Sequence, residues 1–150
     1  MIEKKEAIMK RLFLIIVLPL LLCGCVIPAD ANVPDGYLSK TVYDDRDRWA
    51  DWTDYRVYAY KDKTAFENNA KFNVIRAENG KTAELDEALK IADAFTGHMA
   101  AVGREDQLRF KPDDIGPGDL VFIAYNEPER MTMYFFDSET NTLHYMDLKA

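Results

Sequence analysis

Residues 83–102 read AELDEALKIADAFTGHMAAV and form the longest regular pattern in the chain. Apolar side chains recur there at steps of three and four, and charged side chains occupy the remaining face. The apolar positions are Leu85, Ala88, Leu89, Ala92, Phe95, Met99 and Val102. This spacing predicts one amphipathic helix, which at 1.5 Å per residue is about 30 Å long and crosses a whole sheet.

Both ends of this helix carry residues that suit a helix terminus. Thr82 is a favoured N-cap residue, because its hydroxyl can accept a hydrogen bond from a free backbone N–H of the first turn. Gly103 followed by Arg104 suits the other end, where glycine adopts the left-handed conformation and a cation meets the negative end of the helix dipole. We therefore expect the helix to begin after Thr82 and to end before Gly103.

Three strands are predicted after the helix, over residues 120–125, 131–137 and 142–148. The connections between them are short enough for an antiparallel meander. Pro117 and Gly118, just before the first strand, fit the two central positions of a type II turn. Before the helix, residues 55–61 alternate as a half-buried strand does, and residues 72–77 form another candidate. The sequence predicts one α+β domain over residues 44–150, with a long helix across a four- to five-stranded antiparallel sheet that ends in the meander.

The strand over residues 131–137 is apolar on both faces. Met131, Met133 and Phe135 lie on one face, and Tyr134 and Phe136 lie on the other. We expect one face to meet the helix. The second face also needs a cover, which either an aromatic segment of the same chain or a partner protein could supply.

That aromatic segment contains Trp49, Trp52 and Tyr55, spaced three residues apart. This spacing predicts a short helix with the three rings along one side. In one interpretation the rings cover the edge of the sheet, and in the other they form an exposed recognition surface. Burial is favoured, because large aromatic side chains are usually mostly buried. Together with Tyr134 and Phe136, they are the candidate interaction surface.

The N-terminal residues have the order of a secretory signal peptide. Residues 12–23 are apolar apart from Pro19, but a bilayer-spanning helix needs about 20 apolar residues. Lys10 and Arg11 precede this run and small residues close it, as in a signal peptide. We predict a signal peptide over residues 1–24. Met9 is an alternative start, because the leader that begins there contains no acidic residue.

Leu22-Cys23-Gly24-Cys25 resembles the lipobox of bacterial lipoproteins, although Cys23 stands where Ala, Ser, Thr or Val is usual. The resemblance covers about the first 25 residues. It implies cleavage between Gly24 and Cys25 and attachment of a diacylglyceryl group to the Cys25 thiol, often with further acylation such as palmitate. Two hydrocarbon chains are enough for stable anchoring to a lipid bilayer. Residues 25–43 are then the lipidated cysteine and a flexible tether that contains Pro28 and Pro34.

The charge of the chain argues against nucleic acid as a partner. The formal net charge is −7, and residues 1–25 carry four basic and two acidic side chains, which leaves −9 on the remainder. Such a surface repels phosphate backbones. It also repels anionic lipid head groups, so the proposed anchor is the lipid and not electrostatic adsorption.

Candidate catalytic and metal-binding residues are few. Lipidation would leave no free thiol, Ser39 falls in the tether, and Ser138 falls in a hairpin loop without a glycine elbow. His98 and His144 have no neighbours at the spacing of a zinc site, so we expect them to be ordinary, partly exposed histidines. We expect no metal and no cofactor.

These observations favour a lipid-anchored protein of the bacterial cell envelope with a small non-catalytic domain that binds a ligand or another envelope protein. The alternative is an envelope enzyme that acts on cell-wall material through acidic residues. In a cell with two membranes, Val26 replaces the Asp that signals inner-membrane retention, which favours the periplasmic side of the outer membrane. In a cell with one membrane, the expected place is its outer face.

Overall fold

The computed structural model describes residues 29–45, 52–76, 83–127 and 130–149. The chain divides into two compact units, Met1–Val33 and Pro34–Ala150. The described part of the first unit holds a 3₁₀ turn, Ala29–Asn32. The predicted signal peptide, Cys25, Trp49 and Thr82 lie outside the described residues. Within the described residues, no helix is both long and apolar enough to cross a membrane.

The second unit is an α+β domain, as predicted. Its strands are β1 Ser39–Asp45, β2 Trp52–Ala59, β3 Asn73–Val74, β4 Leu120–Glu127, β5 Arg130–Asp137 and β6 Thr142–Lys149, and its helix is α1 Ala83–Ala101. The strands form one sheet in the order β1-β2-β6-β5-β4-β3, in which all neighbours are antiparallel.

The sheet differs from the prediction in its number of strands and in the place of the meander. Over the described residues it has six strands, where four or five were expected. Strands β4, β5 and β6 are consecutive neighbours, but they form the middle of the sheet and not its end. The reason is that β6 also pairs with β2 and β4 also pairs with β3.

Strand β1 lies in the segment predicted to be a flexible tether. Its residues Thr41, Val42 and Tyr43 favour extended structure because their side chains are β-branched or aromatic. The chain is attached to the sheet even before β1 begins. The backbone N–H of Leu38 donates to the Ala59 carbonyl at 2.7 Å. The ordered domain therefore begins before residue 44.

Strand β2 replaces the short helix predicted around Trp52 and Tyr55. The described residues 52–59, WTDYRVYA, are rich in aromatic and β-branched side chains that favour a strand. In a strand, side chains three residues apart point to opposite faces, so a spacing of three does not align Trp52 with Tyr55. The prediction of a helix is wrong for these residues.

Helix α1 packs on one face of the sheet through a continuous apolar stripe. The buried side chains of the helix are Leu85, Ala88, Ile91, Ala92, Phe95 and Met99. They form one core cluster with sheet residues that include Met133 and Phe135 of β5 and Met146 of β6. The helix ends in a Schellman motif, in which the Arg104 N–H donates to the Met99 carbonyl at 2.8 Å and Gly103 has a φ of +73°.

The second face of the sheet is covered by the segment that follows β2. Tyr134 and Phe136 of β5 are buried there, and the rings of Phe66 and Phe72 lie against them. The Phe66 and Phe136 ring centroids are 4.2 Å apart, and those of Phe72 and Tyr134 are 6.3 Å apart. The chain thus provides its own aromatic cover for the second face of β5.

We predict that Phe66→Ala lowers the free energy of unfolding by about 3–5 kcal/mol, because it removes a ring that is 2% exposed and leaves a cavity over β5. Urea denaturation followed by circular dichroism would measure this loss. Leu38→Ala is the control, since Leu38 is 71% exposed, and we expect a change below about 0.5 kcal/mol. Equal losses in the two variants would contradict the assignment of Phe66 as the cover.

Candidate functional site

A cleft of about 750 Å³ lies where the loop before β4 approaches the turn between β5 and β6. We call it the His144 cleft. Its lining residues are Val57 of β2, Arg109, Thr142 and His144 of β6, and members of the segments 113–119 and 137–140. All of these residues belong to the second unit. The volume is that of a site for a small ligand.

Asp119 connects the two walls of this cleft through hydrogen bonds to its carboxylate. It is 5% exposed, and its Oδ1 accepts hydrogen bonds from the backbone N–H and the hydroxyl of Ser138, both at 2.9 Å. Its Oδ2 accepts from the Gly116 N–H at 2.9 Å. The predicted turn at Pro117 and Gly118 is confirmed, since Gly118 has a φ of +98° and the Asp119 N–H donates to the Gly116 carbonyl at 3.3 Å. One carboxylate therefore fixes the distance between the walls.

Asp137 orders the turn on the other side. Its Oδ1 accepts from the backbone N–H groups of Glu139 and Thr140, at 2.8 and 3.2 Å. Its Oδ2 accepts from the Thr140 hydroxyl at 2.7 Å. Asn141 completes the turn with a φ of +54°, a conformation that Asn tolerates better than most residues. Both oxygens of Asp137 are thus used to hold the turn.

A hydrogen-bond relay leads from the backbone to the imidazole of His144. The Arg109 N–H donates to the Tyr55 hydroxyl oxygen at 3.1 Å, and this oxygen lies 2.9 Å from His144 Nδ1. Tyr55 is fully buried, and burial raises the pKa of its phenol, so the hydroxyl keeps its proton. Among the described residues, Nδ1 is the acceptor that this proton reaches. Tyr55 therefore donates to Nδ1.

This relay fixes the state of His144. The ring is 2% exposed and stacks on Phe135, with centroids 5.6 Å apart. Burial lowers the pKa of His144 to about 4, although Asp137 and Asp114 act in the opposite direction, so the imidazole is neutral at pH 7. A neutral imidazole that accepts at Nδ1 carries its proton on Nε2. The tautomer is thus assigned from the hydrogen-bond network.

His144 lines the cleft, and its Nε2–H has no hydrogen-bond partner among the described residues. No fully buried side-chain nitrogen or oxygen in the described part of the chain lacks a partner, so Nε2 must be accessible from the cleft that the ring lines. The site therefore presents one fixed N–H donor on a nearly buried ring.

The described lining of the cleft is strongly acidic. It contains five carboxylates and one guanidinium, a net charge of −4. The Arg109 guanidinium has partners within the chain, because its Nη1 donates to the Asp106 and Leu108 carbonyls and its Cζ lies 5.4 Å from the centre of the Tyr43 ring. Negative charge therefore dominates the potential inside the cleft.

A second polar cluster lies on the opposite face of the sheet. Asp54 of β2 and Asp147 of β6 are register partners and are both buried. Asp54 accepts two hydrogen bonds from Arg56, at 2.8 and 2.7 Å, and Asp147 accepts two from Arg130, at 2.9 and 2.6 Å. These two-point ion pairs compensate the buried charges, so we assign the cluster a structural role.

The structure corrects the candidate interaction surface at three of its five positions. Tyr55, Tyr134 and Phe136 are at most 2% exposed, so the folded chain leaves them no surface for a partner. Trp49 lies outside the described residues, and Trp52 is described only as a backbone position in β2. The Tyr55 hydroxyl instead holds the imidazole of His144, which lines the cleft.

His144 was expected to be partly exposed, and the structure shows it buried. The signal was present in the sequence, because His144 alternates with Met146 and Leu148 and therefore lies on the apolar face of β6.

No protein-family model, curated protein or solved structure matches the chain. Function is therefore inferred from the cleft and from the N-terminal pattern.

We predict that His144 titrates with a pKa of about 4, whereas the unfolded chain takes up this proton near 6.5. The unfolded state binds the proton first, so the free energy of unfolding falls as the pH drops below about 6.5. The total loss is on the order of 3 kcal/mol when the pH reaches about 4. NMR titration of the imidazole resonances would measure the pKa, and a His98→Gln variant would assign them. A midpoint near 6.5 for His144 would contradict its burial.

We also predict that Tyr55→Phe destabilises the domain by about 1–3 kcal/mol, because it leaves the Arg109 N–H and His144 Nδ1 without a partner. The same variant should allow His144 to populate both neutral tautomers. The ¹⁵N chemical shifts of the two ring nitrogens would report these populations. Tyr37→Phe is the control, since Tyr37 is 42% exposed, and should change neither quantity. An unchanged Nε2–H tautomer in Tyr55→Phe would show that the relay does not fix it.

Proposed function

We propose that this protein is a lipoprotein of the bacterial cell envelope, anchored through Cys25, whose α+β domain is a non-catalytic binding module. Anchoring is supported by the sequence Leu22-Cys23-Gly24-Cys25 at the end of a short apolar run preceded by basic residues. Binding is supported by the His144 cleft, whose polar groups are held in place by the fold before any ligand arrives. The observation that carries the binding role is the fixed Nε2–H of His144 on a buried ring.

A preorganised cleft favours binding, because little ordering of the protein is needed when the ligand enters. Asp119 fixes the walls, Asp137 fixes the turn, and Tyr55 fixes the imidazole. Each of these groups belongs to the second unit and is held by at least two hydrogen bonds. The cleft therefore presents the His144 donor and the carboxylates of Asp119 and Asp137 in one arrangement.

An envelope enzyme that acts on cell-wall material through acidic residues is the alternative. General acid or base catalysis needs a carboxylate that can exchange a proton with the substrate. Asp119 and Asp137 each accept three hydrogen bonds from the chain, which occupy both oxygens of each carboxylate. Asp54 and Asp147 are each bound to an arginine. These arrangements favour binding over acid–base catalysis.

The proposed location follows from the anchor and from the charge. An acidic domain with a net charge of −9 outside residues 1–25 gains nothing from anionic lipid surfaces, so attachment to the bilayer depends on the lipid on Cys25. The bilayer is thus one partner. A soluble ligand or another envelope protein is the second, bound through the domain. No role in binding nucleic acid is proposed.

We predict that radiolabelled palmitate is incorporated into the wild-type protein and not into a Cys25→Ser variant, because serine offers no thiol for the diacylglyceryl group. Labelling in growing bacterial cells, followed by immunoprecipitation, would measure the incorporation. The variant should also move from the membrane fraction to the soluble fraction or remain as uncleaved precursor.

Cys23→Ser is the matched control, since it removes the other cysteine and places a usual residue at that position of the motif. It should incorporate palmitate as the wild type does. Equal incorporation in Cys25→Ser and the wild type would refute anchoring through Cys25. Loss of label in Cys23→Ser alone would instead assign the lipid to Cys23.

A further inference from the structure

We infer that the His144 cleft binds a small organic cation, in which an ammonium group is carried close to a hydroxyl or carbonyl oxygen. The inference rests on the proposed function and names the ligand class of the same cleft. It combines two independent observations. One is the net charge of −4 on the described lining, and the other is the unpartnered Nε2–H of a ring that is 2% exposed.

The walls of the cleft mainly offer acceptors. Thr140 and Thr142 line the cleft, but the Thr140 hydroxyl already donates to Asp137 at 2.7 Å, and the Thr142 hydroxyl donates to the Thr140 carbonyl at 3.3 Å. Their oxygens remain as acceptors. Asp114 and Glu139 add exposed carboxylates at the same walls. A ligand group that satisfies such walls must donate hydrogen bonds and carry positive charge.

His144 supplies the opposite requirement. Its Nε2–H donates, so the part of the ligand that reaches this atom must be an acceptor. Asp114 and Asp137 line the same cleft and act electrostatically on the imidazole, so the cleft combines negative charge with this donor. A ligand therefore gains most when an ammonium group and an uncharged oxygen acceptor are close together. A hydrophobic amine satisfies only one of the two requirements.

The same geometry argues against a bare metal ion. A metal-binding imidazole needs a free lone pair, but Nδ1 accepts from Tyr55 and Nε2 carries the proton. Within the described residues, no three His, Cys, Asp or Glu side chains are placed to hold a metal ion. The carboxylates of Asp119 and Asp137 are also used in internal hydrogen bonds. An organic cation that donates hydrogen bonds fits these groups better.

Two sources could supply this chemistry, an amino sugar and an amine-bearing peptide. The experiment uses full-length protein purified in detergent and isothermal titration calorimetry at mildly acidic pH, where the amines are protonated and His144 is neutral. Glucosamine tests the first source, and glycinamide, whose ammonium group is on the carbon next to its carbonyl group, tests the second. Glucose and glucuronate share the sugar ring but carry zero and negative charge. Nα-acetyl-glycinamide lacks the ammonium group of the glycinamide probe.

We expect saturable binding of at least one ammonium probe and none of glucose, glucuronate or Nα-acetyl-glycinamide. Asp114→Asn and Glu139→Gln each remove one charge and should weaken that binding about fivefold. Asp93→Asn is the matched control, because Asp93 is exposed on α1 outside the cleft, and it should leave the affinity unchanged. The preferred probe identifies the source of the ligand.

Absence of binding by both ammonium probes would overturn the inference, and so would an equal loss of affinity in Asp93→Asn and Asp114→Asn. Tighter binding of glucuronate than of glucosamine would also overturn it, but it would leave the cleft as a binding site and so preserve the proposed function. None of these outcomes depends on lipid attachment, which the palmitate experiment tests separately. The two proposals can therefore fail independently.

Discussion

Both faces of β5 must be buried, and the rest of the domain is arranged around this constraint. Strand β5 contributes Met133 and Phe135 to one side and Tyr134 and Phe136 to the other, and all four side chains are at most 2% exposed. A helix covers one face of the strand and an aromatic segment covers the other, as helices cover both faces of a parallel sheet. The middle of this antiparallel sheet is consequently a three-layer structure.

The polar site depends on the same burial. The imidazole of His144 is held between Phe135 and the Tyr55 side chain because β6 and β2 flank each other in the sheet and both face α1. Burial makes the imidazole neutral, and the neutral ring in turn needs a defined donor at Nδ1. The structure provides this donor through Tyr55, whose own oxygen is satisfied by a backbone N–H. Core packing and site chemistry are therefore parts of one arrangement.

The long helix and the last three strands could be predicted from the sequence because each has a period that a short window reveals. Helix α1 ends at Ala101, one residue before the predicted end, and Gly103 supplies the left-handed conformation of its Schellman motif. Strand β1 was missed because Pro34 and Gly36 precede it and an edge strand has only one pairing partner. The cover of the second face was missed because Phe66 ends a single 3₁₀ turn, Lys63–Phe66, and Phe72 precedes the two-residue strand β3, and elements this short show no periodicity.

The candidate site was only partly accessible to prediction from the sequence. The alternation of His144 with Met146 and Leu148 places the histidine on an apolar face, but it does not identify what satisfies the ring. Tyr55, its partner, is 89 residues away in the chain, and no sequence pattern connects two positions at that distance. The link that Asp119 makes between the walls is similarly non-local. Its carboxylate accepts from Gly116, three residues away, but also from Ser138, 19 residues away.

The ion pairs of Asp54 and Asp147 have a consequence for how the strands align during folding. These two carboxylates are directly opposite each other, and Arg56 and Arg130 lie on the same face of the sheet. If β6 slipped by one position, Asp147 would enter the apolar interior beneath the helix, away from Arg130 on β5. If β2 slipped, Asp54 and Arg56 would enter that interior together, because both lie on β2. A misaligned pairing of these strands is thus penalised because it buries charge beneath the helix. The correct register is therefore selected even where the apolar residues alone would allow several registers.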